Sequence, residues 1–143
     1  MRISALVAAA VAATLVSGIA LARDSRLKLP IKDAMETPAA KEQLGNEIKF
    51  VFGSKPAGGK ELGTYTANKK TNFANKSDKE GCEWAFLSAM VSLKQRAIAE
   101  GGNAVVNIQS YYKKNEFSSA TEYECGAGAF VGGVALRGTV VKK

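Results

Sequence analysis

Histidine is absent from this 143-residue chain, which removes the commonest general base together with the Ser-His and Cys-His nucleophile pairs. Only two cysteines occur, Cys82 and Cys125. They lack the close Cys-x-x-Cys spacing of a redox pair, and a thiolate metal site would want more ligands. With the two thiols joined, a metal would find only carboxylates and amides. No apolar run after residue 16 approaches the length of a membrane span, the longest weakly polar stretch being the glycine-broken Gly126 to Leu136. These absences leave no residue to assign as catalytic, cofactor-binding or metal-ligating, and no cofactor is expected.

What is present begins with an address. Met1-Arg2-Ile3-Ser4 is a short positive start, Ala5 to Val16 an uncharged apolar run, and Ala20-Leu21-Ala22 a small-x-small site before Arg23-Asp24. That is the layout of a secretory signal peptide over residues 1–22. No lipid-acceptor cysteine follows the apolar run, so the expected product is periplasmic or secreted and carries no transmembrane anchor in its mature form.

The chain carries a formal charge of +7. Residues 1–22 contribute only Arg2, which leaves about +6 on the exported part and favours acidic partners. Outside the cytoplasm these are lipid headgroups, acidic glycans and acidic protein faces; nucleic acid is scarce there and is not expected as a partner. In an oxidising compartment an even cysteine count argues for one disulfide, Cys82 to Cys125.

Residues 23–46, with Pro30 and Pro38, read as an extended or loosely structured segment with a turn or short helix near Pro38 to Leu44. A single α+β domain is expected over 47–143. Alternation at Ile48, Phe50 and Phe52 predicts a strand over 47–53. A turn follows at 54–59, then a short strand at Leu62 to Thr66 and a polar loop from Asn68 to Asn75. From Ser77-Asp78, the apolar positions Cys82, Ala85, Phe86, Ala89, Met90, Leu93, Ala97 and Ile98 recur at spacings of three and four. This predicts an amphipathic helix to about Glu100, stopped by Gly101-Gly102. A strand from Ala104 toward Tyr111-Tyr112, a polar turn at 113–118 and a strand from Ala120 to Cys125 read as a hairpin. Val134 to Val141 closes the chain as a strand. The expected architecture is two-layer α+β, one long helix on a small, mainly antiparallel sheet.

The segment Glu100-Gly101-Gly102-Asn103-Ala104-Val105-Val106 and the terminal Arg137-Gly138-Thr139-Val140-Val141 resemble the YbjQ-like group of small α+β proteins and the globular domain of the Rcs envelope-stress sensor lipoprotein. The sensor resemblance implies a protein that reports by contact with envelope partners. The YbjQ-like resemblance implies symmetric homo-oligomers and a heavy-metal role that this histidine-free chain does not support. Arg23 to Pro30 and Asn107 to Cys125 are similar to small exported proteobacterial proteins that often carry the name excinuclease ATPase subunit. The residues contradict such an activity: the nearest approach to a phosphate loop is Gly58-Gly59-Lys60-Glu61, with a carboxylate where the magnesium-binding hydroxyl belongs.

Two surface features remain. Tyr111, Tyr112, Lys113 and Lys114, with Tyr123 expected opposite across the hairpin, form an aromatic and cationic patch suited to a protein or an acidic glycan. Glu122 and Glu124 share one face of a strand and offer an alternative reading, a carboxylate-dependent enzyme on an envelope polymer. The sequence favours an exported binding or interaction protein of the cell envelope, not an enzyme.

Overall fold

The hydroxyl of Ser77 accepts the Glu80 N–H at 3.1 Å and opens the long helix α3 (Asp78–Ala99), with Asp78 and Glu80 in its first turn where the helix dipole favours acid. Gly101, at φ +76°, stops it, and Gly102 N–H closes on Ala97 O at 2.9 Å. The buried stripe is Cys82, Ala85, Phe86, Ala89, Met90, Leu93 and Ala97; Ile98, expected in the stripe, is about half exposed near the C-terminal end of the helix.

The computed structural model describes residues 24–54 and 58–143, so the signal-peptide reading at 1–22 lies outside the described residues. Helix α3 packs on a six-stranded, mostly antiparallel mixed sheet. The strands are β1 (Ser25–Pro30), β2 (Lys49–Phe52), β3 (Lys60–Asn72), β4 (Ala104–Ser110), β5 (Glu122–Ala127) and β6 (Val131–Lys142). Two short helices, α1 (Ile31–Met35) and α2 (Pro38–Leu44), follow β1.

β6 is the spine. β3 pairs with it antiparallel along its length, while its other side is shared: β4 takes Leu136 to Val141, and β5 takes only Gly132 and Gly133. β2 then adds parallel to β4, and β1 antiparallel to β5. The sheet therefore forks on one side of β6 into a β4–β2 prong and a β5–β1 prong. The helix-side core joins Phe86, Met90 and Leu93 to Val105, Ile108, Cys125, Val134, Leu136 and Val140. On the opposite face, among the described residues, Ala104, Val106 and Val141 form a small apolar cluster, with Val51 against it.

Several expectations change. Of the segment 23–46, the described residues 24–46 are extended at β1 but not loose: β1 is an edge of the sheet, and Ile31, Ala34, Ala40 and Leu44 are buried in the main core. The helix expected near Pro38 to Leu44 is present as α2, its first turn capped by Thr37 Oγ1 accepting the Ala40 N–H at 3.2 Å. Asn68 to Asn72, read as loop, belongs to β3, whose helix-free face is exposed from Thr64 to Asn72 and whose Lys69 is exposed on the other face as well. The strands before and after the 113–118 turn do not make a hairpin. β4 and β5 pair with successive stretches of the same side of β6 and not with each other, and Ser110 and Phe117 bridge across the turn.

Candidate functional site

The helix-free face of the sheet collects the polar chemistry of the chain. Its cover is the 111–121 loop, which the Tyr111 N–H ties to Ala135 O at 2.8 Å and the Ser110–Phe117 bridge closes with two bonds of 2.9 Å. Lys113 and Lys114, at φ +50° and +63°, turn the chain sharply between these ties.

Strand alternation sends Leu27 and Leu29 of β1 toward the helix side and Arg26 and Lys28 toward the loop. There the Arg26 guanidinium stands 5.6 Å from the Tyr112 ring centre and the Lys28 ammonium 4.3 Å from that of Phe117. Lys113 lies 5.6 Å from the same Tyr112 ring, and Arg137 of β6 lies 5.2 Å from the Tyr111 ring. Three of these cations also meet carboxylates: Arg26 with Glu124 at 3.6 Å, Lys113 with Asp24 at 3.3 Å and Arg137 with Glu116 at 3.7 Å.

Beside the loop a polar cleft of about 330 Å³ opens, lined by Ser54, Thr64, Asn107, Gln109, Glu116, Arg137 and Thr139. A break in register between Val106 and Gln109 forms one wall, with Asn107 at φ +52°. Such bulges re-aim side chains. Asn107 Oδ1 is buried and has no hydrogen-bond partner among the described residues. Thr64 Oγ1 and Thr139 Oγ1 share a 2.9 Å hydrogen bond across β3 and β6. A guanidinium, two primary amides and several hydroxyls beside a tyrosine ring can bind a carboxylate and its neighbouring hydroxyls.

Tyr111, Tyr112, Lys113 and Lys114 are thus brought together, the rings half-buried and the lysines exposed. Tyr123 is not with them. It is 1% exposed and faces the helix, its ring 4.5 Å from that of Phe86. Burial, with the Glu83 and Asp33 charges behind it, raises its phenol well above the usual tyrosine range. Glu122 is exposed, whereas Glu124 is buried against Arg26, its N–H donating to Ser110 Oγ at 2.9 Å. Cys82 and Cys125 are joined, with Cα atoms 5.9 Å apart, so the bridge ties the first turns of α3 to β5.

Sequence reasoning missed Arg137, Asn107, Gln109, Thr64 and Thr139. Arg137 and Thr139 were findable, because they interrupt the apolar closing strand at every second position. Among the described residues no group of three or more cysteines and carboxylates stands ready to hold a metal ion. Trp84, 43% exposed, walls a second, mainly apolar groove with Pro38, Ala39 and Leu87. Glu83 at that groove has its carboxyl raised, chiefly by burial.

No family model, curated protein or solved structure matches the chain. The reading of the site therefore rests on its own residues.

Proposed function

We propose that the protein is an exported binding protein of the cell envelope that takes acidic glycan chains on the helix-free face of its sheet. The observation that carries this reading is the cleft in which the Arg137 guanidinium stands beside the Tyr111 ring and among the Asn107, Gln109, Thr64 and Thr139 side chains. Arginine pairs with a sugar carboxylate in two-pronged fashion, the amides and hydroxyls match ring hydroxyls, and the tyrosine offers an apolar face for the sugar ring. The net charge of about +6 on the exported part, +7 for the whole chain less Arg2, attracts an anionic polymer at long range.

An oxidising compartment agrees with the Cys82–Cys125 bridge, and among the described residues no helix is long and apolar enough to cross a membrane. Cell fractionation followed by intact mass, with and without reduction before thiol alkylation, tests export directly. A periplasmic species beginning at Arg23 and alkylated only after reduction is the expected result.

For the site itself, titration calorimetry of the purified protein with a polyuronate, against neutral dextran, is expected to show binding to the first alone. An Arg137→Gln substitution weakens it about tenfold or more, the size of a lost charge-assisted contact. Binding that is equal for both polymers, or indifferent to Arg137, sinks the reading.

A further inference from the structure

Strand β3 has one side paired along its length with β6, and among the described residues no strand pairs its other side. A free edge of 13 residues is long. Natural sheets usually cover, shorten or charge such an edge because its open N–H and C=O groups recruit further strands. Here the edge carries charges of both signs, and their places are informative.

Glu61 and Lys70 are both exposed, and neither is ion-paired with any described residue. Nine positions apart, they would project from opposite faces of a regular strand. The register of β3 on β6 shifts at Leu62, however: Glu61 pairs with Val141, but Gly63 pairs with Val140 and Lys70 with Gly133. The bulge therefore brings Glu61 onto the same helix-free face as Thr64, Thr66, Asn68 and Lys70.

We infer that β3 is the interface of a two-fold dimer in which β3 pairs antiparallel with β3 of a second copy, centred on Thr66. Counting outward from Thr66 along the bulged strand, Glu61 and Lys70 are equidistant from the axis. Each Glu61 then stands opposite Lys70 of the second copy, twice by symmetry, and Thr64 stands opposite Asn68. The alternatives lose this match. Centring on Tyr65 sets Lys69 opposite Lys60, and centring on Ala67 leaves Lys70 facing Thr64. The lysines that protect an edge from indiscriminate pairing thus permit one register. The result is a continuous sheet with both helix-free faces on the same side, so two clefts can engage one polymer and gain by effective concentration.

Light scattering and sedimentation of the purified protein over a concentration series test the inference. A dimer is expected, with Glu61→Lys and Lys70→Glu each raising its dissociation constant about tenfold or more, since each reversal creates two like-charge pairs. The double variant Glu61→Lys/Lys70→Glu restores association by exchanging the two signs. Circular dichroism melts check that the single variants remain folded. A monomer throughout, a dimer indifferent to the single reversals, or a folded double variant that associates no better than the singles overturns the proposal. None of these outcomes depends on glycan binding.

Discussion

The ring of Tyr112 lies on Gly126 in the space where a side chain would begin: a Cβ at that glycine would overlap Tyr112 Cζ and its hydroxyl. The contact seats the 111–121 loop on β5 and holds Tyr112 between the Arg26 and Lys113 cations. Gly126→Ala is expected to expel the ring, cost about 2 kcal/mol as an overpacking substitution, and open the loop to limited proteolysis. Tyr112→Ala added to it should cost little more, because both changes break one contact. Fully additive losses in thermal melts would show that the two residues do not act together.

Tyr123 makes a different prediction. Its hydroxyl is buried and has no hydrogen-bond partner among the described residues, while its ring packs on Phe86. Tyr123→Phe keeps the packing and removes the unsatisfied group, so stability should rise by about 1 kcal/mol. Alkaline behaviour should change with it. Burial, followed by the Glu83 and Asp33 charges, raises the folded-state phenol pKa above the unfolded value of about 10. The folded state therefore keeps a proton that the unfolded state releases, and stability is intact below about pH 10 and falls as pH rises beyond it. Denaturant midpoints from pH 8 to 11 should show that part of the fall disappearing in the Phe variant. An unchanged slope would place the alkaline loss elsewhere.

How much of this was legible in the sequence depended on whether the signal was local. Helix α3 was, because its cap at Ser77, its apolar spacing and its stop at Gly101 all lie within the segment itself. Only the first part of β3 was, at Leu62 to Thr66; the rest was not, because exposed Asn68, Lys69, Lys70 and Asn72 hide the alternation and Lys69-Lys70 reads as loop. The β4–β5 hairpin failed for a non-local reason: the two strands, neighbours in sequence, each pair with a different stretch of the distant strand β6 and not with each other. Tyr123 was misplaced by that hairpin, although its parity with Cys125, which a bridge to the helix must turn inward, was available to correct it. The cleft was the least legible feature. Asn107 enters it through a bulge, and Thr64 and Glu116 arrive from distant parts of the chain.

Because β5 shares only two residue pairs with β6, the β5–β1 prong is tied to the rest of the sheet chiefly by side-chain packing and by the Cys82–Cys125 bridge. The bridged residues are 43 apart in sequence, and closing a loop of that size contributes about 4 kcal/mol in the chain-entropy model. A Cys82→Ala/Cys125→Ala variant should lose about 10 to 20 °C in Tm. Hydrogen exchange should quicken first in Ser25–Pro30 and Glu122–Ala127, while β3–β6 and β4–β6 stay protected. Uniform loss of protection would mean that the prongs unfold as one unit and that the bridge does not hold one of them in place.

Glu116 offers the sharpest test of the cleft, because it acts against the proposed ligand. Its carboxylate stands 3.7 Å from the Arg137 guanidinium and is well exposed, so it competes for the cation that an incoming sugar carboxylate would pair with. As a surface pair it contributes little to stability, about 0 to 1 kcal/mol, and Glu116→Gln should leave the melt nearly unchanged. The same substitution removes a negative charge from the cleft and should tighten polyuronate binding severalfold at low salt. The gain should shrink as salt screens the longer-range part of the effect. Paired with the loss expected from Arg137→Gln, this gives two substitutions at one ion pair with opposite signs on affinity. A scaffolding role for the pair would move both variants in the same direction, through stability, and a titration beside a melt separates the two cases.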